Sequence, residues 1–281
     1  MQPQIGLIVT GPQAFQDVQL FVKTLDLWHP KTDLFVYTDT ATEPQLKAMS
    51  TKSTIHTKVA MDAYTGQTRQ QMEKTPGKLY DSLFKDYTYE KANVLEWMFE
   101  TQASSQGAWF MDADISHLAP LPTIPKGTQL ALSPHMIKPT DEEKFGKYNA
   151  GYMWFKDKSL LQQWRQAGYQ SRFYEQAALE ELVNYVHPLH LHVFPIQVNF
   201  GWWRMFQSSE QAHAIQQKFS LFRKDNSIGL RYDNHPIQSI HTHWYDTQAF
   251  ESQIFRLWFD NFTKKFQSHK PIQQYRQWLG L

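Results

Sequence analysis

Residues 5–40 read IGLIVTGPQAFQDVQLFVKTLDLWHPKTDLFVYTDT. The apolar run at 5–9 stops at a Thr-Gly-Pro turn, which is typical of a buried strand. Apolar residues then keep helical spacing at Val18, Phe21, Val22 and Leu25, and a second apolar run covers 34–37. A strand, a helix and a strand in succession form a βαβ unit, whose crossover makes the two strands parallel. The sequence therefore predicts an α/β fold with a mostly parallel central sheet flanked by helices.

Weaker signals of the same kind follow along the chain. Further strands are predicted at 54–59, 107–111, 129–133, 148–155 and 236–243. Helices are predicted at 89–99, 159–168 and 175–186, and from 248 to the C-terminus. Two long polar segments, 61–78 and 135–147, are predicted to be loops of the kind that cover active sites. This order of elements indicates a single α/β domain.

The composition excludes several classes of protein. The 281 residues carry 28 Lys and Arg against 27 Asp and Glu, so a long basic stripe is not expected and nucleic acid is excluded as a partner. The absence of Cys removes disulfide scaffolds, thiolate zinc sites and a cysteine nucleophile. No apolar stretch approaches the ~18 residues of a transmembrane segment, and the N-terminus lacks the basic region of a signal peptide. We therefore expect a soluble, cytoplasmic protein.

Two carboxylates after the strand predicted at 107–111 are the sharpest functional signal. That strand reads Gly-Ala-Trp-Phe-Met, and Asp112-Ala-Asp114-Ile follows it. Open α/β sheets bind ligands beyond the carboxyl ends of their strands, where carboxylates two residues apart can both turn toward a divalent cation. Such a cation can bridge a diphosphate and neutralise the charge that develops as the diphosphate leaves. The alternative is a pair of turn carboxylates that cap the next element.

Four motifs in a fixed order resemble those of the GT-A-fold glycosyltransferases. They are the strand with its Asp-x-Asp at 107–115, the strand Tyr-Asn-Ala-Gly-Tyr-Met-Trp-Phe at 148–155, the pair Glu175-Gln176, and His241-Thr-His243. The nearest pattern is that of the glycogenin-like and lipopolysaccharide galactosyltransferase-like group, although no Gly-x-x-Lys-Pro-Trp follows the histidines here.

The resemblance implies an activity and an organisation of the chain. The activity is a metal-dependent transfer of a sugar from a nucleoside-diphosphate sugar, with UDP favoured, to a glycan or another hydroxyl acceptor. The organisation is one GT-A-like domain over 1–281. It has a nucleotide-binding half (1–115), a half for the donor sugar and the acceptor (116–245), and a C-terminal helical extension (246–281).

The resemblance also implies a metal site. Asp112 and Asp114 would hold the cation together with one histidine, for which His243 is favoured over His241. Histidines two apart on a strand face the same side. Carboxylates, an imidazole and diphosphate oxygens suit Mn²⁺ better than Mg²⁺. Another histidine group, at 187, 190 and 192, has no carboxylates at useful spacing. Ordinary hydrogen-bonded histidines explain it more simply.

By the same resemblance, the donor lies across the first βαβ unit. Thr10 and Gly11 would border the base, and glycine allows a close approach of the backbone. Asp39 would accept a hydrogen bond from the base or the ribose; the alternative is a simple turn residue. Lys91, near the start of its helix, would contact the donor or an aspartate of the site; a solvated lysine is the alternative.

The remaining site residues would surround the reacting sugar. Gly151 would let the donor sugar approach its strand and Asn149 would hydrogen bond to hydroxyl groups, although a strand glycine can also mark a bulge. Glu175 is either the base of an inverting enzyme or, with Gln176, a positioning residue of a retaining one. A helix N-terminal Glu favoured by the dipole is the plain alternative. The segment 199–204, with two Trp and an Arg, is either an acceptor wall or part of the core.

Two other functions remain open at this level. A metal-dependent phosphohydrolase or nucleotidyltransferase could use the same carboxylates. Phosphatases of the haloacid-dehalogenase type, however, carry their Asp-x-Asp after the first strand and a Thr soon after it. Here Ile115 and Ser116 follow the pair. The second alternative is a non-catalytic carbohydrate-binding protein that keeps the fold, which the aromatic content of 15% permits.

Overall fold

Thirteen strands and eleven α-helices form in the computed structural model, which describes residues 2–101, 107–224, 227–246 and 248–281. The strands are β1 Gln4–Val9, β2 Asp33–Thr38, β3 Thr54–Val59, β4 Ala108–Met111, β5 Ile115–His117, β6 Leu130–Pro134, β7 Tyr148–Phe155, β8 Leu191–Val193, β9 Phe200–Gly201, β10 Phe219–Lys224, β11 Ser227–Tyr232, β12 His235–Pro236 and β13 Ser239–His241. The helices are α1 Gly11–Leu25, α2 Glu43–Lys47, α3 Arg69–Lys74, α4 Leu83–Thr101, α5 Pro139–Phe145, α6 Leu161–Gly168, α7 Tyr174–Leu182, α8 Arg204–Gln207, α9 Ala212–Gln217, α10 Phe250–Lys264 and α11 Lys270–Trp278.

The central sheet has seven strands in the order β3-β2-β1-β4-β7-β6-β8. Strands β3, β2, β1 and β4 are parallel to one another, as the first βαβ unit predicts. Strand β7 is antiparallel to both β4 and β6, and β8 is parallel to β6. The predicted α/β class with a mostly parallel sheet is therefore confirmed.

The centre of the sheet is buried on both faces, and successive side chains of its strands belong to two different apolar clusters. Leu34 and Val36 pack with α1, whereas Phe35 and Tyr37 pack with α4. Helices cover both faces, so a continuous apolar run replaces the apolar–polar alternation of a half-exposed strand. A third apolar cluster lies in the C-terminal region, around Ile240 of β13 and the helices α10 and α11.

Several predicted elements need correction. The two polar segments predicted as loops contain the helices α3 and α5, each too short to display helical periodicity. The strand predicted at 236–243 divides into β12 and β13 because its two parts join different sheets: β12 pairs with β11, and β13 pairs with β5 and β9. The predicted C-terminal helix divides into α10 and α11, and the hairpin of β10 and β11 was not predicted. None of the described helices combines the length and apolar composition that crossing a bilayer requires.

A buried histidine at the end of β5 makes stability depend on pH. His117 is 2% exposed, and its Nε2 has no hydrogen-bond partner among the described residues. Burial, with a smaller contribution from His29, lowers the pKa of His117 to about 3. An unfolded histidine has its pKa near 6.5, so acid protonates the unfolded chain first and favours unfolding.

We predict that the free energy of unfolding falls by about 1.4 kcal/mol per pH unit below pH 6.5 on account of His117 alone. The contribution of neutral His117 to the free energy of unfolding is complete above pH 6.5. It decreases as the pH falls toward the pKa of His117 in the folded protein. Urea unfolding at pH 7, 6 and 5 measures it, and His117→Phe should show a shallower slope than the wild type. Identical slopes for the two proteins would contradict the assignment, because all other groups titrate alike in both.

Candidate active site

The strand order of the sheet brings the Asp-x-Asp segment beside the start of β7. Strands β4 and β7 are antiparallel, with Met111 opposite Tyr152. The Asp112 N–H donates to the Gly151 carbonyl at 2.9 Å. The carboxyl end of β4 and the beginning of β7 therefore meet at one edge of the sheet.

A second pairing brings the late histidine to the same edge. Strand β13 is antiparallel to β5, with His241 opposite Ile115. The Thr242 N–H donates to the Asp114 carbonyl at 3.3 Å. Residues more than a hundred positions apart in the chain thus become neighbours through a short three-stranded sheet, β5-β13-β9.

Asp112, Asp114 and His241 form a group that could hold a metal ion, and we call these three residues the metal group. One ligand atom from each lies within 4.8 Å of the other two. The His241 Nε2 is 3.1 Å from Asp114 Oδ1 and 3.7 Å from Asp112 Oδ2. Among the described residues this is the one group of three or more carboxylates, thiolates or imidazoles with such spacing, so the histidines at 187, 190 and 192 do not form another.

His243 contacts the same site from outside. Its Nδ1 lies 2.9 Å from Asp114 Oδ2, but its side chain is 46% exposed, against 6% for His241. Strand β13 ends at His241, so His243 has left the strand. The sequence analysis favoured His243 as the metal ligand, whereas the structure groups His241 with both aspartates.

The two histidines set the ionisation of the buried aspartate. Burial raises the pKa of Asp114, but His241 and His243 outweigh it and hold this pKa well below its usual range. Asp114 is therefore a carboxylate at neutral pH. An ionised carboxylate is the form that binds a divalent cation.

Lys91 of α4 joins the metal group to α7. Its Nζ lies 3.1 Å from Asp112 Oδ1 and 2.9 Å from Glu175 Oε1, and it donates to the Ala150 carbonyl at 3.3 Å. Burial lowers the pKa of Lys91, but the two carboxylates outweigh burial and raise it above its usual value. The ammonium group stays charged, so it holds two carboxylates in place and is no proton acceptor.

A chain of side-chain amides fixes the neighbouring part of the site. Asn149 Nδ2 donates to Gln176 Oε1 at 3.2 Å, and Gln176 Nε2 donates to the Phe145 carbonyl at 2.8 Å. Asn149 Oδ1 accepts from Asn199 Nδ2 at 3.0 Å and from the Gly151 N–H at 3.1 Å. Both functional groups of Asn149 and Gln176 are engaged, so these side chains have defined orientations.

One cleft of about 680 Å³ contains most of the predicted site residues. Those that line it are Thr10, Lys91, Asp112, Asp114, Asn149, Gly151, Glu175, Gln176, His241 and His243. Gly11 and Asp39 do not line it. The Gly11 N–H donates to Asp39 Oδ2 at 2.9 Å, and the other Asp39 oxygen accepts from the Thr42 N–H at 2.7 Å. Asp39 therefore ties the loop after β2 to the start of α1.

Some residues of the cleft were not predicted. Asp17 of α1 is 5% exposed, and burial, followed by the Asp114 charge, raises its pKa to about 8. Thr10, Gln13 and Asp17 line the cleft. Their helical spacing, with polar residues on one side of an apolar helix, is a signal that could have revealed this face.

The segment 199–204 divides between cleft and core. Trp202 and Trp203 line the cleft, and the Trp203 ring lies edge-on to His241 at 5.0 Å between centroids. Arg204 is 3% exposed and donates to the carbonyls of Asn199 and Pro134, each at 2.5 Å. It binds backbone rather than an anionic ligand.

Comparisons with solved structures show the fold. The chain is similar to mouse xyloside xylosyltransferase 1 in its apo form, with 13% identity, a TM-score of 0.53, and 86% of this chain and 97% of that one covered. It is also similar to galactosyltransferase LgtC in complex with donor and acceptor sugar analogs, with 13% identity, a TM-score of 0.50, and 91% and 94% covered. An active-site mutant of LgtC gives 14% identity, a TM-score of 0.50, and 92% and 95% covered.

The chain has the GT-A glycosyltransferase fold. No family model and no curated protein matches its sequence. Within the GT-A fold, the Asp-x-Asp segment follows β4 and lies in the cleft described above. The resemblance inferred from four short motifs is confirmed at the level of the fold.

Gly151, which has no side chain, makes room for the residues of the metal group. A Cβ at residue 151 would overlap the Asp112 carboxylate and the His241 ring, and would touch Asn149 Oδ1 at 3.0 Å. Two of the three candidate ligands therefore approach each other over a residue without a side chain. This is the close approach for which glycine is suited.

We predict that Gly151→Ala displaces Asp112 and His241 and lowers the affinity for Mn²⁺ by about tenfold or more. Calorimetric titration of the wild type and the variant with Mn²⁺ measures the change. Gly168→Ala is a matched packing control, because its methyl would meet the Tyr89 ring instead. The control should lose stability and keep its Mn²⁺ affinity; equal affinities of wild type and Gly151→Ala would disprove the steric argument.

Proposed function

We propose that this protein is a metal-dependent glycosyltransferase that moves a sugar from a nucleoside-diphosphate sugar, with UDP favoured, to a hydroxyl group of an acceptor. The observation that carries the proposal is the convergence of Asp112, Asp114 and His241 in the cleft of a GT-A fold. In open α/β sheets, ligands bind beyond the carboxyl ends of the strands, and these residues lie at that edge.

The set of candidate metal ligands fits a divalent cation. It consists of two carboxylates and one imidazole, and Gly151 provides the space in which they meet. We propose Mn²⁺, since an imidazole among oxygen ligands favours it over Mg²⁺. When bound, the cation supplies a Lewis acid and a template for the diphosphate. The protein's part is to hold the ligands: Lys91 fixes Asp112, and His243 fixes Asp114.

The donor side of the cleft lies beside α1. Thr10, Gln13 and Asp17 line it there, together with Tyr87 of α4. We propose that the nucleotide lies along this side. Gly11 and Asp39 would then act indirectly, since their mutual hydrogen bond shapes the loop next to it.

The acceptor side carries aromatic rings. Phe145, Phe173 and Trp202 line the cleft beyond the metal group, and their faces can stack on a sugar ring. We propose that this side receives a carbohydrate acceptor. Gln176, held by Asn149 and the Phe145 carbonyl, lies between the two sides and would orient the sugar that is transferred. Glu175, held by Lys91, would serve in the same positioning role.

We predict that UDP binds the wild-type protein in the presence of Mn²⁺ and binds much more weakly without it. Asp114→Asn should weaken the Mn²⁺-dependent binding on the order of a hundredfold, because it removes a charged ligand. Calorimetry measures both effects, and GDP in parallel tests the base. Asp157→Asn is the matched control, since this exposed aspartate caps a short helical turn that asparagine also caps. If no nucleoside diphosphate binds in the presence of Mn²⁺, the proposed function is refuted.

The two histidines should differ in their effect on the metal. We predict that His241→Asn lowers Mn²⁺ affinity by about a hundredfold or more, because it removes a ligand, and that His243→Asn lowers it by about tenfold, because it removes a residue that orients a ligand. The reason is that His241 is within reach of both aspartates, whereas His243 contacts Asp114 alone. Electron paramagnetic resonance of free Mn²⁺ measures each affinity. The reverse order would make His243 the ligand.

A further inference from the structure

Tyr174 has a backbone conformation that an aromatic residue rarely adopts. Its φ is +41°, in the left-handed region, at the first position of α7. Such a conformation is unfavourable for a residue with a side chain and persists only where surrounding contacts enforce it. Glu175 and Gln176 follow directly. The strained residue therefore immediately precedes Glu175 and Gln176, which both line the cleft.

Contacts with α3 hold the Tyr174 side chain. Its hydroxyl donates to Glu73 Oε1 and accepts from Arg69 Nη2 at 3.3 Å. Arg69 Nε donates to the same Glu73 oxygen at 2.7 Å. The Tyr174 ring packs edge-on against Phe84 at 4.7 Å, and the Arg69 guanidinium lies 4.8 Å from the centre of the Phe84 ring. We call the group of Arg69, Glu73 and Tyr174 the α3 clamp.

The other end of the same turn is anchored independently of the clamp. The Glu175 carbonyl accepts from Trp164 Nε1 at 2.9 Å, and its carboxylate pairs with Lys91. Gln176 is bound to Asn149. The direction from which the chain enters the helix is a further constraint on where Glu175 and Gln176 point. Tyr174 determines that direction through its backbone.

We propose that Tyr174 is a positioning residue, held by Arg69 and Glu73 in a left-handed conformation that directs Glu175 and Gln176 into the cleft. This inference rests on the proposed function. The clamp acts on the first turn of α7 and leaves the metal group untouched, since none of its three residues contacts Asp112, Asp114 or His241 in the described structure. Loss of the clamp therefore slows transfer of the sugar without weakening binding of the nucleotide.

The test compares Tyr174→Phe and Glu73→Gln with the wild type. Tyr174→Phe keeps the ring and removes only the hydroxyl group. We expect kcat for transfer from the donor sugar to fall by about tenfold to a hundredfold, the loss that misplacement of a reacting group causes. The donor KM and the Kd of UDP with Mn²⁺ should stay within about twofold, since they report binding. Tyr185→Phe, on an exposed tyrosine just beyond α7, is the control and should leave kcat unchanged.

A double variant tests the clamp itself by thermal unfolding. If Tyr174 and Glu73 act through each other, the Tm of the double variant falls by less than the sum of the two single shifts. Additive shifts would overturn the clamp. Non-additive shifts with unchanged kcat would make it a structural contact and overturn the positioning role. Absence of transfer by the wild-type protein, with every donor tried, is a different result: it refutes the proposed function and this inference with it.

Discussion

The buried ammonium group of Lys91 connects three elements that form the site. It lies between Asp112, at the end of β4, and Glu175, at the start of α7, and it is itself part of α4. A buried charge is stable only with partners, and removing one partner leaves the other uncompensated. The three elements are therefore tied to one another by electrostatics as well as by apolar packing. The positions of both carboxylates follow from this single cation.

The permanent cations that line the cleft are already paired with carboxylates of the protein. These cations are Lys91 and Arg69, and the acidic side chains that line the cleft are Asp17, Asp112, Asp114 and Glu175. Each of the two cations is bound to carboxylates of the protein. A diphosphate entering this cleft would meet the Asp112 and Asp114 carboxyl groups while both of these cations are engaged. In the proposed function, a divalent cation held by Asp112, Asp114 and His241 would supply the positive charge that the diphosphate needs.

The late histidine depends on the C-terminal region. Ile240, the neighbour of His241 in β13, packs into the cluster formed with Phe255 and Phe259 of α10. The loop after β13 is attached to the same helix: Arg256 donates to the Trp244 carbonyl at 2.5 Å, and the Thr242 and Ser252 hydroxyl groups lie 2.6 Å apart. The helices that follow the last strand thus support one edge of the candidate metal site.

The sequence by itself determined the local elements and the type of chemistry. Apolar runs and helical spacing identified the first βαβ unit, because burial on both faces leaves a clear pattern, and β3 and β7 form at the predicted residues. The aspartates at the end of β4 were recognisable from their position alone.

Only the tertiary structure decided that His241 joins these aspartates, since that depends on the pairing of β13 with β5. It likewise decided that Asp39 fixes a loop, and that Tyr174 is held by two residues of α3 at sequence separations of 101 and 105. Such contacts depend on the chain topology and on packing between distant segments. The periodicity of the sequence reports only local structure, so it cannot predict them.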